Sequence, residues 1–224
     1  MTDLQEDNKF EEFEHLEDFS DLNTENLIFE IWVKPKKVFD YILKFDPTKY
    51  VAILLVISAF IATLERLLTK NLSLDAYGFG YSVGGLAIGT LLTWLMYYVS
   101  AWFFRLFGAT FLGGKANNQD FRTVIAWSNI PLIAGILTTL CIVLLYGWEA
   151  PREYYTPESE IEGYVFIAVG IIDIVLSLWS MMIMVIGVMR IQHFSIGRAL
   201  ANVFLPVLII VAIIALFVIG LQPF

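Results

Sequence analysis

The 224 residues are 58% hydrophobic, with a formal net charge of −8 and a single cysteine; soluble domains run nearer about 45–50% apolar. Mean hydropathy is +0.71. Lone Cys141 excludes an internal disulfide framework and a cysteine metal cluster, and no stretch is basic enough to suggest nucleic acid.

The charge is unevenly placed. Residues 1–26 hold ten acids and one lysine, a net −9, so the remainder is close to neutral. A secretory signal would open with positive charge and then an apolar core, and this segment does neither. It reads as a disordered, acidic cytoplasmic tail. Phe10, Phe13, Leu16, Phe19 and Leu22 recur at every third position, which leaves open a segment that folds onto a basic partner.

Residues 27–224 read as an all-α polytopic membrane domain: five transmembrane helices preceded by an interfacial amphipathic helix at about residues 35–47. In NLIFEIWVKPKKVFDYILKF, Pro35 suits the first turn of a helix. Val38, Phe39, Ile42 and Phe45 form an apolar face beside Lys36, Lys37 and Lys44. Such a helix suits a bilayer surface, with Trp32 and Phe39 near the acyl boundary; packing on a neighbouring domain is the alternative. Runs of about 18 or more apolar residues mark membrane helices. They place spans at about 50–68, 80–104, 123–146, 163–189 and 199–221, with Glu65 and Arg66 at the far interface of the first.

Lysine and arginine distribution sets orientation. Lys34, Lys36, Lys37, Lys44, Lys49, Arg105, Lys115, Arg122, Arg190 and Arg198 fall on one side, against Arg66, Lys70 and Arg152 on the other. Ten against three puts the N-terminus in the cytoplasm, and five spans send the C-terminus to the far side. A bacterial inner membrane is the expected setting. In a eukaryote Asn71-Leu72-Ser73 would be a glycosylation acceptor.

Polar residues inside apolar spans are the candidate sites. Asp173 lies about ten residues into the fourth span, or ~15 Å deep, level with Thr93, Thr138 and Thr139. A protonated carboxyl bonded to a threonine and a proton or ion relay both fit. Nearer the cytoplasmic side, Ser128, Asn129, Arg105 and Asn202 form a polar layer. It suits a headgroup or small-anion cavity, or plain interhelical hydrogen bonds. Pro131 is expected to kink the third span. Gly80/Gly84 and Gly85/Gly89 are small-xxx-small pairs that permit close helix approach. Gly80-Tyr81-Ser82-Val83-Gly84 also matches a hydrolase nucleophile pattern. His193, however, would lie ~30 Å away across the bilayer, so no triad can form. No catalytic residue, metal site or cofactor motif is read, and homo-oligomerisation has no sequence support.

The entry segment NLIFEIWVKPKKVFDYI followed by PTKY, and the loop FLGGKANNQDFRTVIAWSNIPLI with its Leu-Gly-Gly-Lys stretch and in-span proline, resemble the bacterial branch of the Yip family. These are small polytopic proteins whose eukaryotic relatives interact with Ypt/Rab GTPases. The resemblance implies a five-helix membrane domain with a cytoplasmic N-terminus. The reading is then a non-enzymatic adapter or membrane organiser in contact with lipids, recruiting a cytoplasmic protein through residues 1–49. The alternative is a small permease or channel using Asp173.

Overall fold

Helix boundaries along the chain are written in capping chemistry. The structure, a computed structural model, describes residues 19–70, 78–147, 150 and 155–220. Most of the acidic tail, the Asn71–Ser73 acceptor, Arg152 and Leu221 therefore lie outside the described residues. Helix α1 (Leu27–Val33) is followed by α2 (Pro35–Phe45), with Pro35 in the first turn. Asp46 Oδ1 then accepts from Thr48 N at 3.1 Å and Thr48 Oγ1 at 2.9 Å, an Asx turn that reverses the chain. Tyr50, in the left-handed region at φ 59°, caps α3 (Val51–Thr69).

The long helices follow. Helix α4 (Phe79–Leu112) is 34 residues and stops at Gly113, whose φ is +72°. At 1.5 Å per residue it spans ~50 Å, longer than the 80–104 expected, because Arg105 to Leu112 continue the helix beyond the apolar run. Asn117 and Asp120 form a reciprocal capping box that starts α5 (Asn118–Ser128). The third expected span is three pieces: α5, α6 (Ile130–Ala134) and α7 (Ile136–Tyr146). Ser159 caps α8 (Glu160–Gln192), which ends on left-handed His193. Helix α9 (Ile196–Gly220) closes the described chain.

Among the described residues there is helix and no strand. Four helical stretches are long and apolar enough to cross a bilayer: Val51–Thr69, Gly80–Leu112, Asn118–Tyr146 and Glu160–Gln192. The fifth expected span corresponds to α9, 25 residues long, of which Ile196–Ile209 qualifies as an apolar stretch shorter than a span.

Burial is concentrated at one end, where α1, α2 and α5 meet the C-terminal half of α8. Ile31, Val38, Phe39, Ile42, Phe121, Val124, Trp127 and Val188 are all 0% exposed there. The far halves of α4 and α8 instead display Leu91, Leu95, Ile171, Ile174 and Val175, an apolar surface suited to lipid. Helix α2 has the expected amphipathic pattern, yet its apolar face is not left for acyl chains. Val38, Phe39 and Ile42 are sealed against the bundle, and Phe39 reaches α8 at Gly187. Phe39 therefore does not sit at an acyl boundary; burial against protein removes the same apolar area from water as lipid would.

Candidate functional site

Two glycine-dependent approaches hold the frame. A Cβ on Gly187 would stand 2.6 Å from Val124 Cγ1 and 2.9 Å from Phe39 Cζ. A Cβ on Gly114 would stand 2.2 Å from Gln192 Oε1, which accepts the Ala116 N–H at 3.0 Å. The Leu-Gly-Gly-Lys stretch is thus a seat for the end of α8. Of the four glycines expected to pack helices, Gly89 does so against Thr63, where a Cβ would be 2.5 Å from Cγ2. Gly85 has only Leu67 at 3.9 Å, and Gly80 and Gly84 have nothing within 4 Å. Among the described residues, those two meet no neighbouring helix at close range.

The expected inner polar layer resolves into separate stitches. Ser180 Oγ donates to the Ser128 carbonyl at 2.7 Å, in the turn preceding Pro131. Asn202 Nδ2 donates to Phe104 O at 2.8 Å, pinning α9 to α4. Arg105 is exposed. Asn129 points elsewhere.

Pro131 cannot donate a helical hydrogen bond, and the helix is interrupted at Asn129 and again at Gly135. The interruption walls a cavity of about 340 Å³ between α3, α4, α6, α7 and α8. Asp173 enters it from α8, and Thr138 Oγ1 lies 2.7 Å from Asp173 Oδ1 and 2.6 Å from Gly135 O. Thr139 lines the wall as well. Thr93 does not: its hydroxyl is 3.4 Å from Thr63 Oγ1, on the α3–α4 contact. So Asp173, Thr138 and Thr139 are brought together, and Thr93 is set apart.

Sequence reasoning passed over Glu65, which the structure brings to the same cavity. Its Oε1 is 3.5 Å from Thr139 Oγ1, and Asp173 lines the same cavity. The missed signal is periodicity: Ser58, Ala62, Glu65 and Thr69 fall at helical spacing and all line the cavity. This is one polar stripe on an apolar helix.

Outside the apolar helices, Asp21 ties residues 19–26 to the bundle. It meets Lys37 Nζ at 2.6 Å, and that hydrogen bond holds the carboxyl below its ordinary 3.8. Before α8, Tyr155 donates its hydroxyl to Glu162 Oε1, and this bond to a carboxylate pushes the phenol up to about 12.

The Yip1 domain matches residues 29–219. The chain belongs to the Yip1 domain family. With the apolar helices, the match makes this Yip1-domain chain a multi-pass integral membrane protein. No curated protein and no solved structure matches it. Glu65, Asp173 and the Gly114–Gln192 seat all fall inside the matched region.

Proposed function

We propose that the chain is a non-enzymatic membrane adapter or organiser that crosses the bilayer five times, with α9 as the fifth crossing. Its N-terminus is cytoplasmic and its C-terminus lies on the opposite side, as the ten-to-three lysine and arginine count requires. One observation carries the reading. The segment α1–α2 is folded into the bundle core through Ile31, Val38, Phe39 and Ile42, so it is a preformed platform and not a free arm. That platform displays Phe29 and Val33, 74% and 79% exposed, and Lys36 and Lys44 are exposed on α2. A rigid amphipathic surface loses little entropy on binding a protein or a headgroup layer. Reporters fused at each end of the chain test the topology, and a cytosolic C-terminal reporter overturns it. Quantitative co-purification of the full chain with and without Phe29→Asp and Val33→Asp tests the platform. Identical sets of captured proteins remove the adapter reading.

A second reading, a small permease, is favoured by the cavity that holds both Glu65 and Asp173. Ion flux in proteoliposomes, compared between the parent chain and Asp173→Asn, decides it.

A further inference from the structure

Two carboxylates from different helices, Glu65 on α3 and Asp173 on α8, face one cavity, and no basic side chain is among its described lining residues. Among apolar membrane helices an uncompensated carboxylate pair is costly. A positive occupant, or protons, must offset it. The cavity extends along α3 from Ser58 to Thr69, the last residue of that helix, a rise of ~16 Å. It is therefore a vestibule running from the helix end inward, not a sealed void.

A second observation is independent of the acids. Asn129, 8% exposed, lines the same cavity, and its Nδ2 has no hydrogen-bond partner. Amide nitrogens and oxygens exchange places by a 180° turn, so this side chain can present a carbonyl oxygen or a donor to the cavity. A buried amide left unsatisfied costs free energy, which turning it toward a hydrated ion in the cavity would relieve. Thr138 offers one hydroxyl proton to two acceptors, Gly135 O and Asp173 Oδ1. It can support an ionised Asp173 by donating to it.

We propose that this cavity binds one hydrated divalent cation of the magnesium or calcium class, held between Glu65 and Asp173 with the Asn129 amide and Thr139 hydroxyl completing its shell. The chemistry selects the class. All donors are hard oxygens, without histidine or sulfur; magnesium is commonly held by one or two carboxylates while keeping several waters, and calcium gathers about six to eight oxygens from carboxylates, amide carbonyls and water. A single divalent charge neutralises both carboxylates. A volume of about 340 Å³ leaves room for the waters, each occupying ~30 Å³ in the liquid.

The inference deepens the permease reading but is tested by binding, so the two fail separately: bound ion without flux removes only the permease. The full chain in nanodiscs is titrated with magnesium chloride and, separately, calcium chloride, following heat and thermal midpoint. Saturable one-to-one binding is expected with at least one of them. Glu65→Gln and Asp173→Asn, which keep side-chain shape, are each expected to weaken it roughly tenfold or more by removing one ligand charge. If either fails to fold by gel filtration, Thr139→Val is expected to weaken binding measurably with the bundle intact. No saturable binding, affinity unchanged in the folded variants, or stabilisation by acid alone (protons as the only occupant) overturns the proposal.

Discussion

Gly187 of α8 and Phe39 of α2 are so close that a methyl group on the glycine would stand 2.9 Å from the phenylalanine Cζ, with Val124 nearer still at 2.6 Å. This contact joins the N-terminal platform to the membrane bundle. Gly187→Ala gains up to about 1 kcal/mol of helix propensity but overpacks a core position, which costs about 1–3 kcal/mol. The net expectation is a lower thermal midpoint in detergent. Adding Val124→Ala should recover part of the loss, since it removes the methyl groups that clash; no recovery would mean the clash is not the cause.

Gly114 and Gln192 form a second such pair. Gly114→Ala should displace the Gln192 amide and leave the buried Ala116 N–H without its acceptor, a loss of about 1–3 kcal/mol. The pair should be non-additive: in a Gln192→Ala background, Gly114→Ala should cost little. Thermal midpoints of the four chains and amide exchange at Ala116 report this directly.

Trp127 Nε1 donates to Lys49 O at 3.1 Å, anchoring the turn that leads into α3. Trp127→Phe keeps most of the ring volume and removes the donor. We expect a loss of about 0.5–1.5 kcal/mol, with faster exchange confined to residues 47–51. A uniform loss of protection would point to packing instead.

Asp21 supplies a pH dependence. Its carboxyl is held below 3.8 by the Lys37 hydrogen bond, so between that lowered value and 3.8 the detached segment binds more protons than the docked one. Docking is then fully supported above about pH 4, and its support declines as pH falls through the lowered value. Amide protection factors of residues 19–26, exchange taken relative to the intrinsic rate at each pH, should fall on acidification below pH 4, and Asp21→Asn should abolish that step. An unchanged acid step in Asp21→Asn assigns it to another group.

Much of the frame was legible because bilayer thickness and capping leave plain marks. Pro35 at a first turn, the long apolar runs, and Pro131 inside one of them foretold α2, the long helices and the interruption near Asn129. Asp173 stood out because a carboxylate in an apolar run is conspicuous. Glu65 did not, since its neighbour Arg66 made it look like an interface charge. Only its spacing with Ser58, Ala62 and Thr69 marked its face. Thr93 matched Asp173 in depth but not in direction, and depth along a helix says nothing about azimuth.

The chain's own residues determined that it is a helical, multi-pass membrane protein, since helix-length apolar runs have no other low-energy solution in lipid. Its lysine and arginine asymmetry likewise sets the expected sidedness. Tertiary packing decided what no linear pattern encodes: that the apolar face of α2 is closed by Gly187, and that Glu65, Thr138, Thr139 and Asp173 converge. Convergence depends on how three helices are rotated about their axes. That rotation is set by long-range contacts such as Ser180 with Ser128 and Thr63 with Thr93, between residues far apart in sequence.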